Sequence, residues 1–337
     1  MTIDPVKQSF NENRAAEPLK ERSPPTVGVS VGGGMRPPRS RRDGFFIKFM
    51  KSSTIGEILQ RAAGALAERG IDDPRRQAAS LIALALQKDR TFIIAHPEYE
   101  LTPGENSRFE SFLERRLKRE PLQYIRGSQE FYGLDFDVSP GVLIPRPETE
   151  LLVEKAIELL KENEAGLFCE VGVGTGCIFI SILHNLKTAS ATGLDISAEA
   201  LRVAGINAGK HDVADRAVLK KSDVFDELGG EKFDLIVSNP PYIPKSDFES
   251  LQPEVRDFEP AAALTDGGTG LSIIGRIARE SPGFLKAGGF LLMEIGFGQA
   301  EAVRAMFDRE VWQRVDVLPD LQGIPRVVTA RLACQNG

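Results

Sequence analysis

The sequence predicts a doubly wound, mostly parallel α/β sheet of seven strands, preceded by a small helical domain and a β-hairpin linker. Three observations carry that expectation. From Glu148 onward, short apolar runs alternate with helical patterns, the layout of a parallel sheet covered on both faces. One of these runs opens into a glycine loop, Gly172-Val173-Gly174-Thr175-Gly176, and another stops at Asn239-Pro240-Pro241-Tyr242. Upstream, residues 54–119 carry apolar residues at helical spacing with capping signals between them.

The elements follow in chain order. Residues 1–51 hold Ser23-Pro24-Pro25 and Gly32-Gly33-Gly34-Met35-Arg36-Pro37-Pro38, too poor in apolar groups to pack, and read as a disordered tail. The cluster Arg36, Arg39, Arg41 and Arg42 can be read as nucleic-acid binding or as a transit peptide, but Asp4, Glu12, Glu17 and Glu21 argue against the latter, and the plain tail is the reading kept. Met35 and Met50 are alternative starts. Residues 52–126 form the helical domain. Thr54 to Glu57 is a capping box, and Ile58, Leu59, Ala62, Ala63 and Leu66 then repeat until Gly70. Asp73-Pro74 caps a second helix through Gln87, and a third spans Pro103 to Arg119. Residues 127–147 read as a hairpin linker, with strands Phe131–Phe136 and Val142–Ile144 around a Ser139-Pro140-Gly141 turn. In the last domain, 148–337, strands are expected at Leu167–Val171, Ala191–Leu194, Ala217–Lys220, Phe233–Val237 and Phe290–Ile295, with a final pair near Arg314–Val317 and Arg326–Arg331.

Composition narrows the class. No apolar stretch approaches the roughly 18 residues of a membrane span. The three cysteines, Cys169, Cys177 and Cys334, have no framework spacing, which fits a reducing, cytoplasmic setting. With three histidines and no Cys pair there is no zinc set, so no metal is expected. The net charge of −6 disfavours direct nucleic-acid binding.

The motifs supply the chemistry. Phe233 to Val237 is a buried-strand run, and both prolines after Asn239 force a stiff, extended exit from it. Asn239 has a side-chain carbonyl and Pro240 a backbone carbonyl, so together they can accept both N–H bonds of a planar NH2 group, with the Tyr242 ring beside them. The glycine loop precedes a helix and offers backbone N–H groups at the positive end of its dipole. Asp195 ends the next strand, where an acid binds ribose hydroxyls. The spacing is G-x-G-x-G and not the dinucleotide G-x-G-x-x-G, and the loop follows an acid, Glu170. That suits a nucleoside carrying an amino acid better than a pyrophosphate. Asp195, Asp223, Gly172 and Asn239 all fall just past strand ends, the ligand edge of such a sheet. For Arg146 and Glu148, in the stiff run after the hairpin, a cap-and-linker role and a site-lining role both stand open.

With these residues in view, the chain resembles the class I S-adenosylmethionine-dependent methyltransferases, and within them the N(5)-glutamine methyltransferases of peptide chain release factors. The closer match lies in Phe131 to Phe136, Leu143 to Glu150, the glycine loop, and Asn239 to Pro244, with weaker echoes at Glu259-Pro260, Asp266 to Leu271 and Asp320 to Arg331. It covers about residues 54 to 332. Two departures are Glu170, where the family usually has Asp, and Val173, which replaces a small polar residue. The resemblance implies a Rossmann-like sheet and S-adenosylmethionine held by Gly172, Val173, Gly174, Thr175, Gly176, Asp195 and Asn239. Asp223 and Val224 would lie near the adenine. It implies catalysis at Asn239, Pro240 and Tyr242, with Pro241, Arg146 and Glu148 near the substrate. The substrate would be the glutamine of the Gly-Gly-Gln motif of release factors, and the helical domain would help dock that protein.

Two other readings remain at this stage. N6-adenine methyltransferases also hold an amine with an Asn/Asp-Pro-Pro-Tyr loop. A flipped base needs stacking rings and a basic groove, and this chain has one Trp, four Tyr and an acidic balance. A dinucleotide-binding or non-enzymatic fold is disfavoured by the glycine spacing and by Asn-Pro-Pro-Tyr.

Overall fold

The structure, a computed structural model, describes residues 53–161 and 166–334. The expected tail, 1–51, lies outside them.

Five helices come first: α1 (Ile55–Glu68), α2 (Pro74–Leu86), α3 (Arg90–Ala95), α4 (Pro103–Leu117) and α5 (Leu122–Arg126). Thr54 and Glu57 form the expected capping box, and Thr102 and Glu105 form a second at α4. The sequence suggested three helices. The two extra ones have six and five residues, too short to show a period. Asp73 is also not the expected side-chain cap: it sits at φ +47° and makes no cap hydrogen bond. Pro74 at the first helical position starts α2.

The hairpin is real but displaced. Its strands are β1 (Ser128–Phe131) and β2 (Leu134–Asp137), in antiparallel register with Phe131 opposite Leu134. Tyr132 at φ +52° and Gly133 at φ +73° make the tight turn, the two positive values that a primed hairpin turn requires. Val142–Ile144 is therefore not a strand. It runs beside the helical lobe, where Tyr124 Oη donates to the Val142 carbonyl at 2.6 Å.

The main sheet has seven strands: β3 (Leu167–Val171), β4 (Ser190–Asp195), β5 (Ala217–Lys221), β6 (Phe233–Ser238), β7 (Leu285–Glu294), β8 (Trp312–Pro319) and β9 (Pro325–Leu332). Their spatial order is β5-β4-β3-β6-β7-β9-β8. The first five are parallel, and β9 inserts antiparallel between β7 and β8. Helices α6 (Glu150–Leu160), α7 (Cys177–Asn185) and α8 (Ala198–Lys210) alternate with the early strands. Three single-turn helices, α9 (Lys245–Phe248), α10 (Pro253–Arg256) and α11 (Ala261–Leu264), fill the long loop after β6. They are followed by α12 (Ser272–Glu280) and, after β7, by α13 (Ala300–Arg304).

Strand residues alternate between two cores, as a period of two demands. Phe168, Leu235, Val237 and Leu292 pack with α6 and α7 and with the hairpin's Phe131 and Phe136. Cys169, Val171, Ile236, Leu291 and Met293 pack on the other face with Ile274 and Ile277 of α12 and Val303 of α13. Both faces are covered, so the strands read as nearly continuous apolar runs. No helix among the described residues is long and apolar enough to cross a membrane.

Candidate active site

The parallel registers align the chemistry along one edge. Val171 lies opposite both Leu194 and Ser238, and Ser238 lies opposite Met293. Gly172, Asp195, Asn239 and Glu294, each next in sequence after one of these, therefore emerge side by side at the carboxyl ends of β3, β4, β6 and β7. Two adjoining cavities open there. The larger holds about 400 Å³ and is lined by Gly172 to Thr175, Asp195, Ser222 to Val224, Asn239 and Pro241. The smaller, about 210 Å³, is lined by Pro240, Tyr242, Ile243, Val255 and Leu264. Leu143, Arg146, Asn239 and Ala263 border both.

The larger cavity is built for a nucleoside with a charged tail. Gly172 and Gly174 both adopt positive φ, which turns backbone N–H groups inward. Asp195 accepts from the Gly174 N–H at 2.9 Å through one oxygen and from the Ser197 N–H at 2.8 Å through the other. Each oxygen keeps a lone pair for a ribose hydroxyl. Burial raises the Asp195 carboxyl, and these two N–H bonds oppose the shift. Val173 lines the cavity and packs on Gly193, where a Cβ would come within 2.8 Å of it, so the bulkier residue is matched by a bare neighbour. Gly176 lines neither cavity. Its missing side chain makes room for Phe179, which a Cβ would approach to 2.7 Å. Asp223 borders the cavity while its Oδ1 accepts from Arg276 at 2.8 Å; Val224 sits beside it at φ +53°.

At the wall between the cavities, Asn239 Nδ2 donates to the Thr149 hydroxyl at 3.1 Å, which leaves Oδ1 as its open acceptor. The Tyr242 hydroxyl donates to Glu294 Oε1 at 3.0 Å. Burial pushes that phenol up, and the charge and hydrogen bond of Glu294 add to the shift, so Tyr242 stays protonated and is no base. Arg146 borders both cavities and pairs with the buried carboxylate of Glu259, which also accepts the Ile144 N–H at 3.0 Å. Glu148 is exposed and lines neither cavity.

Several residues that hold this geometry lie outside the glycine loop and the Asn-Pro-Pro-Tyr run. Gln299 donates to the carbonyl of Tyr242 at 2.9 Å and accepts the Gly296 N–H at 2.8 Å. Gly270 lies so close that a Cβ there would fall 2.0 Å from the Tyr242 carbonyl oxygen. Asp266 gathers the N–H groups of Gly268, Gly270 and Ser272. Burial alone would raise its carboxyl, but the hydroxyl and N–H of Ser272 and those backbone groups hold it down at about 2. The available signal for Gln299 was only a polar residue near a strand end, whereas Asp266 opens one of the weaker family echoes, Asp266 to Leu271.

Comparison with known proteins agrees with this architecture. Residues 57–127 match the family model of the PrmC N-terminal domain, and residues 147–269 match that of the methyltransferase small domain. The release factor glutamine methyltransferase of Geobacter sulfurreducens is 43% identical over 279 residues, covering 83% of this chain and 97% of that protein. That of Koribacter versatilis is 40% identical over 279 residues, covering 82% and 98%. The bifunctional methyltransferase of Rickettsia bellii is 35% identical over 309 residues, covering 84% of this chain and 56% of that protein. The chain belongs to the release factor glutamine methyltransferase family.

Proposed function

We propose that this enzyme transfers a methyl group to the side-chain amide nitrogen of the glutamine in the Gly-Gly-Gln motif of peptide chain release factors. The observation that carries the reading is Asn239 on the wall shared by the two cavities, with its NH2 committed to Thr149 and its carbonyl oxygen open. S-adenosylmethionine, held in the larger cavity, supplies an electrophilic sulfonium methyl group. Asp195 binds its ribose and the loop from Gly172 to Thr175 faces its charged tail. The backbone beside Asp223 and Val224 borders the adenine.

The glutamine side chain enters the smaller chamber. A carboxamide nitrogen is a weak nucleophile because its lone pair is delocalised. Asn239 Oδ1 and the Pro240 carbonyl accept its two hydrogens, orient the nitrogen and favour the positive charge that builds on it. With the cofactor bound, the clamp would aim the nitrogen at the sulfonium methyl, the carbon–sulfur electron pair would leave with sulfur, and one N–H proton would pass to water. Tyr242 packs beside this path, and Arg146 lines the chamber mouth. A base-methylating role is less well supported, because Tyr242 is the one aromatic ring among the described residues lining the chamber and its hydroxyl is tied to Glu294. A cytoplasmic setting, where translation proceeds and thiols stay reduced, belongs to this reading.

Asn239→Ala tests it. With labelled cofactor and intact release factor, methyl transfer should fall by roughly 10²–10³ while cofactor affinity stays within a few-fold. A variant that turned over at the wild-type rate would remove the clamp from the mechanism.

A further inference from the structure

Thr149 and Glu294 carry no established role here, yet the hydrogen bonds of Asn239 and Tyr242 run into them. Glu294 is 1% exposed and follows Met293, the partner of Ser238, so it leaves the sheet next to Asn239. Its Oε1 accepts from the Tyr242 hydroxyl. The Thr149 hydroxyl faces the same carboxylate, although Oε2 has no partner of ordinary hydrogen-bond geometry. Thr149 is itself 2% exposed and stands where a threonine usually caps a helix, before α6, but its side chain makes no cap bond. Its hydroxyl is spent on Asn239 instead.

The order of donors matters. An ionised carboxylate only accepts, so both hydroxyls turn their O–H bonds toward it. The lone pairs of Thr149 are then left for Asn239, and only the NH2 end of that amide can use them. The two ends of an asparagine amide are nearly the same size, so packing does not choose between them; the hydrogen-bond partners do. We propose that Glu294 is a positioning residue which, through the Thr149 hydroxyl, fixes the polarity of the Asn239 amide so that Oδ1 faces the substrate. Were the order reversed, Asn239 would present N–H groups to the N–H groups of the incoming glutamine. Burial, with the Glu148 charge adding to it, raises the Glu294 carboxyl, and the hydroxyls of Thr149 and Tyr242 and the charge of Arg326 oppose the shift without cancelling it, so the relay operates above that raised value, where the carboxyl is ionised.

This inference rests on the clamp proposed above, and a double-mutant cycle separates the two. Methyl transfer to intact release factor is measured for Thr149→Val, Thr149→Ser, Asn239→Ala and the Thr149→Val/Asn239→Ala double variant. Thr149→Val should lower kcat by roughly 10²-fold with the cofactor KM within a few-fold, the usual effect of misplacing a contact at the reacting atom. Thr149→Ser, which keeps the hydroxyl, should restore most of the rate. In the Asn239→Ala background, Thr149→Val should cost less than about two-fold, because the amide it orients is gone. Wild-type turnover by Thr149→Val, or the same fold-loss in both backgrounds, overturns the relay. An unimpaired Asn239→Ala overturns the clamp and the relay together. Should Thr149→Val not fold by thermal melting, Glu294→Gln is carried through the same two backgrounds, with the same coupling expected and additivity again overturning the proposal.

Discussion

Glu170, the penultimate residue of β3, has a carboxyl that is wholly buried, one oxygen accepting the Phe179 N–H at 2.9 Å and the other without a partner. Burial drives it well above the ordinary carboxylate range, the Phe179 bond opposes this, and the Asp195 charge adds to it. The folded chain therefore keeps a proton that the unfolded chain releases, and stability falls as pH rises from the unfolded value toward the folded one. The slope for one such group is about 1.4 kcal/mol per pH unit. Glu170→Gln keeps a carbonyl for the Phe179 N–H and removes the titration. Its urea midpoint, measured without ligand, should match wild type near about pH 5 and exceed it increasingly toward about pH 8. Parallel stability curves would mean that the carboxyl titrates normally. The acid itself was legible two positions ahead of the glycine loop. Thr149 and Glu294 were not, because their roles depend on partners 90 and 52 positions away, which no local pattern encodes.

Between elements, the buried amide of Asn207 on α8 does the joining. It accepts the Asp137 N–H at 2.8 Å and donates to the carbonyls of Asp137 at 3.0 Å and Thr175 at 2.9 Å, tying the hairpin to the glycine loop. Asn207→Ala strands these groups, each unsatisfied buried partner costing about 1–3 kcal/mol. A loss of at least about 2 kcal/mol in denaturant melts and weaker S-adenosylmethionine binding by calorimetry are expected together. An unchanged midpoint would show that water replaces the amide freely. The legibility of the elements follows from the same physics. Strands buried on both faces announce themselves as apolar runs, and β3 falls where its run begins and ends. The hairpin was misplaced because Tyr132 takes a left-handed conformation that a tyrosine seldom adopts, while Ser139-Pro140-Gly141 looked the better turn. The four-residue helices α9, α10 and α11 are held by the loop's tertiary contacts and leave no period to read.

At the scale of the molecule, the helical lobe is fastened to the roof of the substrate chamber through one carboxylate. Glu254 of α10 accepts from Arg116 and from Arg119, at 2.7 Å each, and its neighbour Val255 lines the chamber. The Arg116 side chain is 4% exposed and also donates to Gln77 on α2. Burial would raise the Glu254 carboxyl, but the Arg116 hydrogen bond, its own backbone N–H and Arg119 hold it lowered, so the contribution is present above its unfolded value and is lost as pH falls through the lowered one. The lobe lines neither cavity among the described residues, so any part it plays in choosing the protein substrate must act from outside them or through this joint. Removing one partner of a buried pair leaves the other charge uncompensated, at a cost of about 3 kcal/mol. Glu254→Ala should therefore lower the melting temperature and raise the KM for intact release factor, with cofactor affinity unchanged. A short Gly-Gly-Gln peptide, which is too small to reach the lobe, should show a smaller change in KM than the intact protein. Equal changes for peptide and protein would assign Glu254 to the chamber roof alone and leave the lobe without a part in docking.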